Sequence, residues 1–131
     1  KQMFAIFNKS GIFIAACHHR FVLLTCDMSS TKYHLAIIEH LLTVYRQNGA
    51  HTYNIGCAFA KTLANSTLGQ HASSLNLQMM VGAFHGHTHN QQCQLDCHPM
   101  YIEGTGHTEG EGCKHVFSSS NKLAQSTCHT N

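Results

Sequence analysis

The residue types best suited to chemistry crowd into one segment, Phe84-His85-Gly86-His87-Thr88-His89-Asn90-Gln91-Gln92-Cys93. Imidazole nitrogen and thiolate sulfur are the donors that Zn²⁺ takes, four at a time, in a tetrahedron. On a helix, His85, His89 and Cys93 fall at successive four-residue steps along one face. On a strand, the residues sharing a face are His85, His87 and His89, with Cys93 beyond them. A fourth ligand has to come from elsewhere; Cys57 is the first candidate, and Cys97 or His98 the second. A chain with 13 His in 131 residues also brings histidines together by chance, so the cluster is weaker evidence than a paired CxxC.

Two other constellations are weaker. Cys17 beside His18 and His19, and Cys113 near His115, supply the residue types of a thiol nucleophile and its base. Neighbours on a strand point to opposite faces, which keeps Cys17 and His18 apart. A buried Cys is commonly a small core hydrophobe. Carboxylates are few, and Asp27, Asp96, Glu103, Glu109 and Glu111 are the ones placed near strand ends or loops. Metal-dependent nuclease chemistry needs several acidic oxygens converging at strand ends. Asp27 and Glu111 are available for it, but a lone Asp there is commonly a turn residue or helix cap.

The elements that must hold these residues are legible in part. Ile12 to Cys17 and Phe21 to Cys26 are apolar, β-favouring runs and predict a hairpin around His18-His19-Arg20. Ser29, Ser30 and Thr31 are N-cap candidates for a helix over 33–46, whose apolar face is Leu35, Ile38, Leu41, Leu42 and Tyr45, with Gly49 as its stop. Tyr53 to Phe59 reads as a short central strand. Leu75 to Met79 alternates, and Met80 to Phe84 continues it as an apolar run, suggesting another strand. Thr88 to Cys97 is polar, Pro99, Gly104, Gly106 and Gly110 mark a loop, and a helix is predicted from Glu111 to Ala124. Strands alternating with helices in this order give an α/β or α+β plan.

Composition bounds the rest. Hydrophobic residues make up 43% of the chain, enough for one modest core. Charged residues make up 11%, against about a quarter in an ordinary domain. A net charge of +2 does not by itself indicate binding to nucleic acid or membrane. No apolar run approaches a membrane span, and no basic-then-apolar leader is present. Seven Cys, an odd number, with a single Pro fit reduced cysteines better than a disulfide scaffold. The chain opens on Lys1 and closes on Asn131 without a helix stop, and reads as a piece of something longer.

Four segments, in order and well spaced, carry a resemblance: Gly11-Ile-Phe-Ile-Ala-Ala-Cys17-His-His-Arg-Phe-Val-Leu-Leu-Thr-Cys-Asp27-Met, Tyr53-Asn-Ile-Gly-Cys57-Ala-Phe, Val81-Gly-Ala-Phe-His85-Gly-His-Thr-His89-Asn and Gly110-Glu111-Gly-Cys-Lys-His-Val-Phe-Ser-Ser-Ser-Asn121. They resemble the fungal Kyakuja-Dileera-Zisupton (KDZ) transposases. The resemblance implies a fragment of an RNase H-like α/β fold, a mixed sheet with flanking helices and a His/Cys-rich insert. It implies DNA as partner, a nuclear location, no membrane, and Mg²⁺ or Mn²⁺ held by an acidic triad for DNA cleavage and joining.

Across residues 1–131, treated as one partial core domain, it distinguishes a strand-strand-helix-strand part (11–59), a His/Cys-rich segment (75–98) and an acidic-motif helix (107–126). The second acid of the triad falls on Asn54 and the third on Glu111. The first lies on a strand N-terminal to residues 1–131, and its absence leaves an exposed sheet edge prone to self-association. His85, His89 and Cys93 match positions between the second and third acids, and with Cys57 form the expected structural zinc set.

Asn keeps the shape of Asp but not the charge that offsets repulsion between two divalent ions. The family's Cys-Arg-His-Gly turn reads Cys17-His18-His19-Arg20, its Glu-Arg after the last acid reads Lys114-His115, and Cys97 stands where Trp is usual. Several of these replacements are single G-to-A or C-to-T changes, the mark of mutational decay, which would also enrich histidine. The resemblance therefore implies an inactive transposase remnant; the alternative is a zinc-stabilised DNA- or protein-binding module without catalysis.

Overall fold

The structure, a computed structural model, describes residues 11–28, 32–44 and 46–127. The cap candidates Ser29, Ser30 and Thr31, and Tyr45, lie outside the described residues. The hairpin forms as expected, with β1 (Ile12–Ala16) antiparallel to β2 (Val22–Asp27) and Ile12 opposite Asp27. Its turn is closed by Cys17 N–H to the Phe21 carbonyl (2.9 Å) and Arg20 N–H to the Cys17 carbonyl (2.8 Å). Arg20 sits at φ 70°, a left-handed conformation that glycine takes freely and a residue with a Cβ does not.

α1 (Tyr33–Val44) buries Ile38, Leu41 and Leu42 of the expected apolar face together with Ile37, while Leu35 is half-buried. A second sheet consists of β3 (Ala50–Thr52) and β4 (Gln78–Met80), paired in parallel with Ala50 opposite Gln78. Between them run α2 (Gly56–Ala64) and α3 (Gly69–Ser74). Ile38, Leu42, Phe59, Leu63, Ala72 and Met79 form the core under this sheet. α4 (Ala83–Gly86), α5 (Gln91–Cys97), a 3₁₀ turn (Pro99–Tyr101) and α6 (Gly112–Thr127) complete the described chain. No helix among the described residues is long and apolar enough to cross a membrane.

Two local expectations give way. The strand expected over 53–59 ends instead at Thr52, and Tyr53 N–H makes a last bond to the Met80 carbonyl (3.0 Å). From Gly56 onward the buried residues are Phe59 and Leu63, at helical rather than alternating spacing. The strand expected from Leu75 through Phe84 is confined to Gln78–Met80, and a helix already begins at Ala83. Asn90 caps α5 by accepting from Cys93 N–H at 2.8 Å, so His85 lies on a different helix from Cys93.

An aromatic cluster joins the hairpin to the rest: Phe13 packs on Tyr33 (5.0 Å between centroids) and Tyr53 (5.6 Å), and Phe59 on Tyr53 (5.7 Å) and His34 (4.8 Å). Among the described residues the two sheets do not merge: β1 pairs with β2 and β3 with β4, and a cavity of about 570 Å³ lies between β1 and β3.

Two substitutions test these features. Arg20→Gly relieves the left-handed turn and gives up only an exposed ion pair with Glu109 (3.7 Å), so urea unfolding should show a gain of about 1 kcal/mol. Gly56→Ala places a methyl against the Met80 carbonyl and should cost about 2 kcal/mol or more in the same assay.

Candidate metal centre and acidic residues

Gly56 has no side chain because none fits: a Cβ there would collide with the Met80 backbone carbonyl. That close approach starts α2 directly beside β4 and puts Cys57 in the first turn of the helix. α2 also packs against α5. The turn leading into α5 supplies His89, held by Gln94 Nε2 donating to its carbonyl (2.7 Å), and α5 supplies Cys93.

The donor atoms meet. His89 Nδ1 is 3.4 Å from Cys57 Sγ and 3.2 Å from Cys93 Sγ, and the three atoms all lie within 4.8 Å of one another. A tetrahedral zinc with Zn–S of about 2.3 Å and Zn–N of about 2.0 Å sets its donors roughly 3.5–3.8 Å apart. The group could therefore hold a metal ion with little rearrangement. Loss of solvation, then hydrogen bonding and repulsion with Cys57 and Cys97, push the Cys93 thiol up to about 12. Burial pushes the Cys97 thiol up as well.

Of the four expected ligands, Cys57, His89 and Cys93 come together and His85 does not join the group. Its ring lies edge-on to His89, with centroids 5.3 Å apart. His98, a second-rank candidate, is buried with both ring nitrogens engaged, Nε2 at 3.2 Å from the Ala83 carbonyl and Nδ1 accepting from Met100 N–H at 3.2 Å. Cys97, the other second-rank candidate, is not in that group either; it lies one helical turn beyond Cys93 on α5.

The acidic positions are set differently. Asn54 is exposed, in the turn between β3 and α2. Glu111 immediately precedes α6 and is only 8% exposed. Its carboxylate pairs with Lys114 Nζ at 2.5 Å and accepts from His85 N–H at 3.3 Å. It also lies against Gly82, where a Cβ would strike it. Glu109 is more exposed and binds His115 Nε2 at 2.7 Å. Both Glu109 and Glu111 line the cavity between β1 and β3, whereas Asn54 is not among its lining residues. Asp27 is at the far end of β2, opposite Ile12.

No curated protein and no solved structure matches the chain. The family model described as Kyakuja-Dileera-Zisupton transposase matches it over residues 1–131. The chain thus belongs to the Kyakuja-Dileera-Zisupton transposase family, and its transposase origin stands on that match over the whole sequence.

Proposed function

We propose that this chain is part of an RNase H-like transposase core that no longer cleaves DNA, and that zinc at Cys57, His89 and Cys93 braces its second half. The observation that carries the loss of catalysis is Asn54 in the turn that follows β3. Two-metal phosphoryl chemistry uses carboxylates to hold divalent ions that activate the nucleophile and stabilise the leaving oxygen. A neutral amide at Asn54 supplies an oxygen but no charge. Glu111, the remaining acid of the triad in this reading, already has its charge offset by Lys114 and one oxygen committed to the His85 N–H.

The strand order supports the RNase H-like reading. An antiparallel hairpin, a helix and a parallel strand pair make up a mixed α/β set, and the cavity lined by residues 13–17 and 49–53 has strands with one partner each on its two sides. In this reading a further strand bearing the first acid, which the resemblance places ahead of Lys1, belongs between them. DNA as substrate and the nucleus as setting come from the family alone. A second reading, a zinc-stabilised binding module, is favoured by the Cys–His group, but a net charge of +2 offers phosphates little attraction.

Two experiments test the proposal. In a version extended upstream, Asn54→Asp should introduce Mg²⁺- or Mn²⁺-dependent nicking of DNA, and adding Glu111→Gln should abolish it; nicking by the unsubstituted protein would contradict the inactive reading. Zinc should bind at about one equivalent and raise the thermal midpoint. A Cys93 thiol raised to about 12 is protonated at neutral pH, so zinc must displace its proton. Affinity should therefore rise with pH and fall below neutrality. Calorimetry in two buffers of different ionisation enthalpy measures the proton release, and pH-independent binding would sink the assignment of thiol ligands.

A further inference from the structure

We propose that Cys97 is the fourth ligand of the metal centre, making it a site of three thiolates and one imidazole. The proposal rests on the reading of Cys57, His89 and Cys93 as a zinc site. Three donors leave one corner of a tetrahedron open, and a closed structural site fills it with protein. Each nearby donor can be weighed. His98 has both nitrogens occupied, by the Ala83 carbonyl and the Met100 N–H. Asp96 is exposed and takes the Gln92 amide at 2.7 Å. His87 is exposed, with its ring toward His98 at 5.9 Å.

His85 sits on α4, across the chain break in helicity at His87 to Asn90, and its backbone N–H is tied to Glu111. Cys97 differs from all of these. It lies one helical turn beyond Cys93 on α5, which puts both side chains on one face. Its sulfur lies outside the group whose donor atoms all fall within 4.8 Å of one another, but on the same side of α5 as that of Cys93. Its carbonyl accepts from Val81 N–H at 3.0 Å, which fixes the end of α5 against the extension of β4. The backbone bearing Cys97 is thus anchored before any metal arrives, and the proposal requires its side chain to turn toward the other three donors when zinc binds.

In the exchange, three S–H bonds break and three protons pass to solvent. Three Zn–S bonds and one bond from zinc to His89 Nδ1 form, and the water ligands that zinc carried in solution leave. No electrons are transferred, and no further reactant is needed.

Zinc-edge X-ray absorption on the zinc-loaded chain counts the donors. The expected result is three sulfurs and one nitrogen in the unsubstituted protein, two sulfurs in Cys97→Ala, and an unchanged shell in His85→Ala. Cys97→His, which keeps a donor at that corner, should bind one zinc through two sulfurs and two nitrogens; it keeps the test open if the alanine variant fails to fold. Cobalt(II) loading gives a second readout, with about a third of the sulfur-to-cobalt charge-transfer intensity lost in Cys97→His. Two sulfurs and two nitrogens in the unsubstituted protein, with one nitrogen lost in His85→Ala, would overturn the assignment of Cys97 and leave the zinc reading standing. Failure of the unsubstituted protein to retain zinc would overturn both.

Discussion

Much of this structure depends on one close approach, that of Gly56 to the carbonyl of Met80. The same carbonyl accepts the Tyr53 N–H that closes the parallel ladder, so strand pairing and helix entry share one atom. Because there is no side chain at Gly56, α2 begins immediately beneath β4. Phe59 and Leu63 then reach the core at 3% and 4% exposure, and Cys57 is left on the side that faces α5. A bulkier residue would push the helix away from the sheet and with it one wall of the sulfur cluster. Asn54 belongs to the same turn, so it and Cys57, a member of the candidate metal group, are separated by a single tight bend.

Glu111 is the second fixed point. A carboxylate taken out of water needs compensation, and here a lysine side chain and a backbone N–H provide it. The neighbouring glycines make room: Gly82 lies against the carboxylate, and Gly110, at φ 65°, lets the chain lie on Thr52 before α6 begins. Glu111 therefore joins α4, α6 and the end of β3 irrespective of any role in cutting DNA. A chain released from selection on catalysis would still lose stability on losing this residue.

The hairpin and α1 were legible in the sequence because their apolar spacing is uninterrupted and each forms from contiguous residues. The helix at 56–64 was not. Over 53–59 the apolar residues are too few to separate two periods, and what decides between them is a carbonyl contributed by Met80, far along the chain. The His/Cys segment was left open between helix and strand for a related reason. A helix sets His85, His89 and Cys93 on one face, but the Asn90 cap starts a new helix and His85 is not in the cluster. Three of the four expected donors still converge, since His89 and Cys93 are close in sequence and Cys57 comes from the helix packed against α5. The roles of Asn54 and Glu111 came through the family resemblance and could not have been read from spacing.

The parallel strand pair also divides the molecule by the distance along the chain over which its contacts form. Hairpin partners are near neighbours, but Asn76 and Asn48, hydrogen-bonded beside the parallel pair, are 28 residues apart, and Cys57 and His89 are 32 apart. Closing such spans costs chain entropy before any contact rewards it. The hairpin and α1 can therefore form while the chain is still largely open. The parallel pair, α2 with its docked glycine and the sulfur cluster must come together late and together. The candidate metal group thus lies in a part of the molecule whose contacts close long spans of chain.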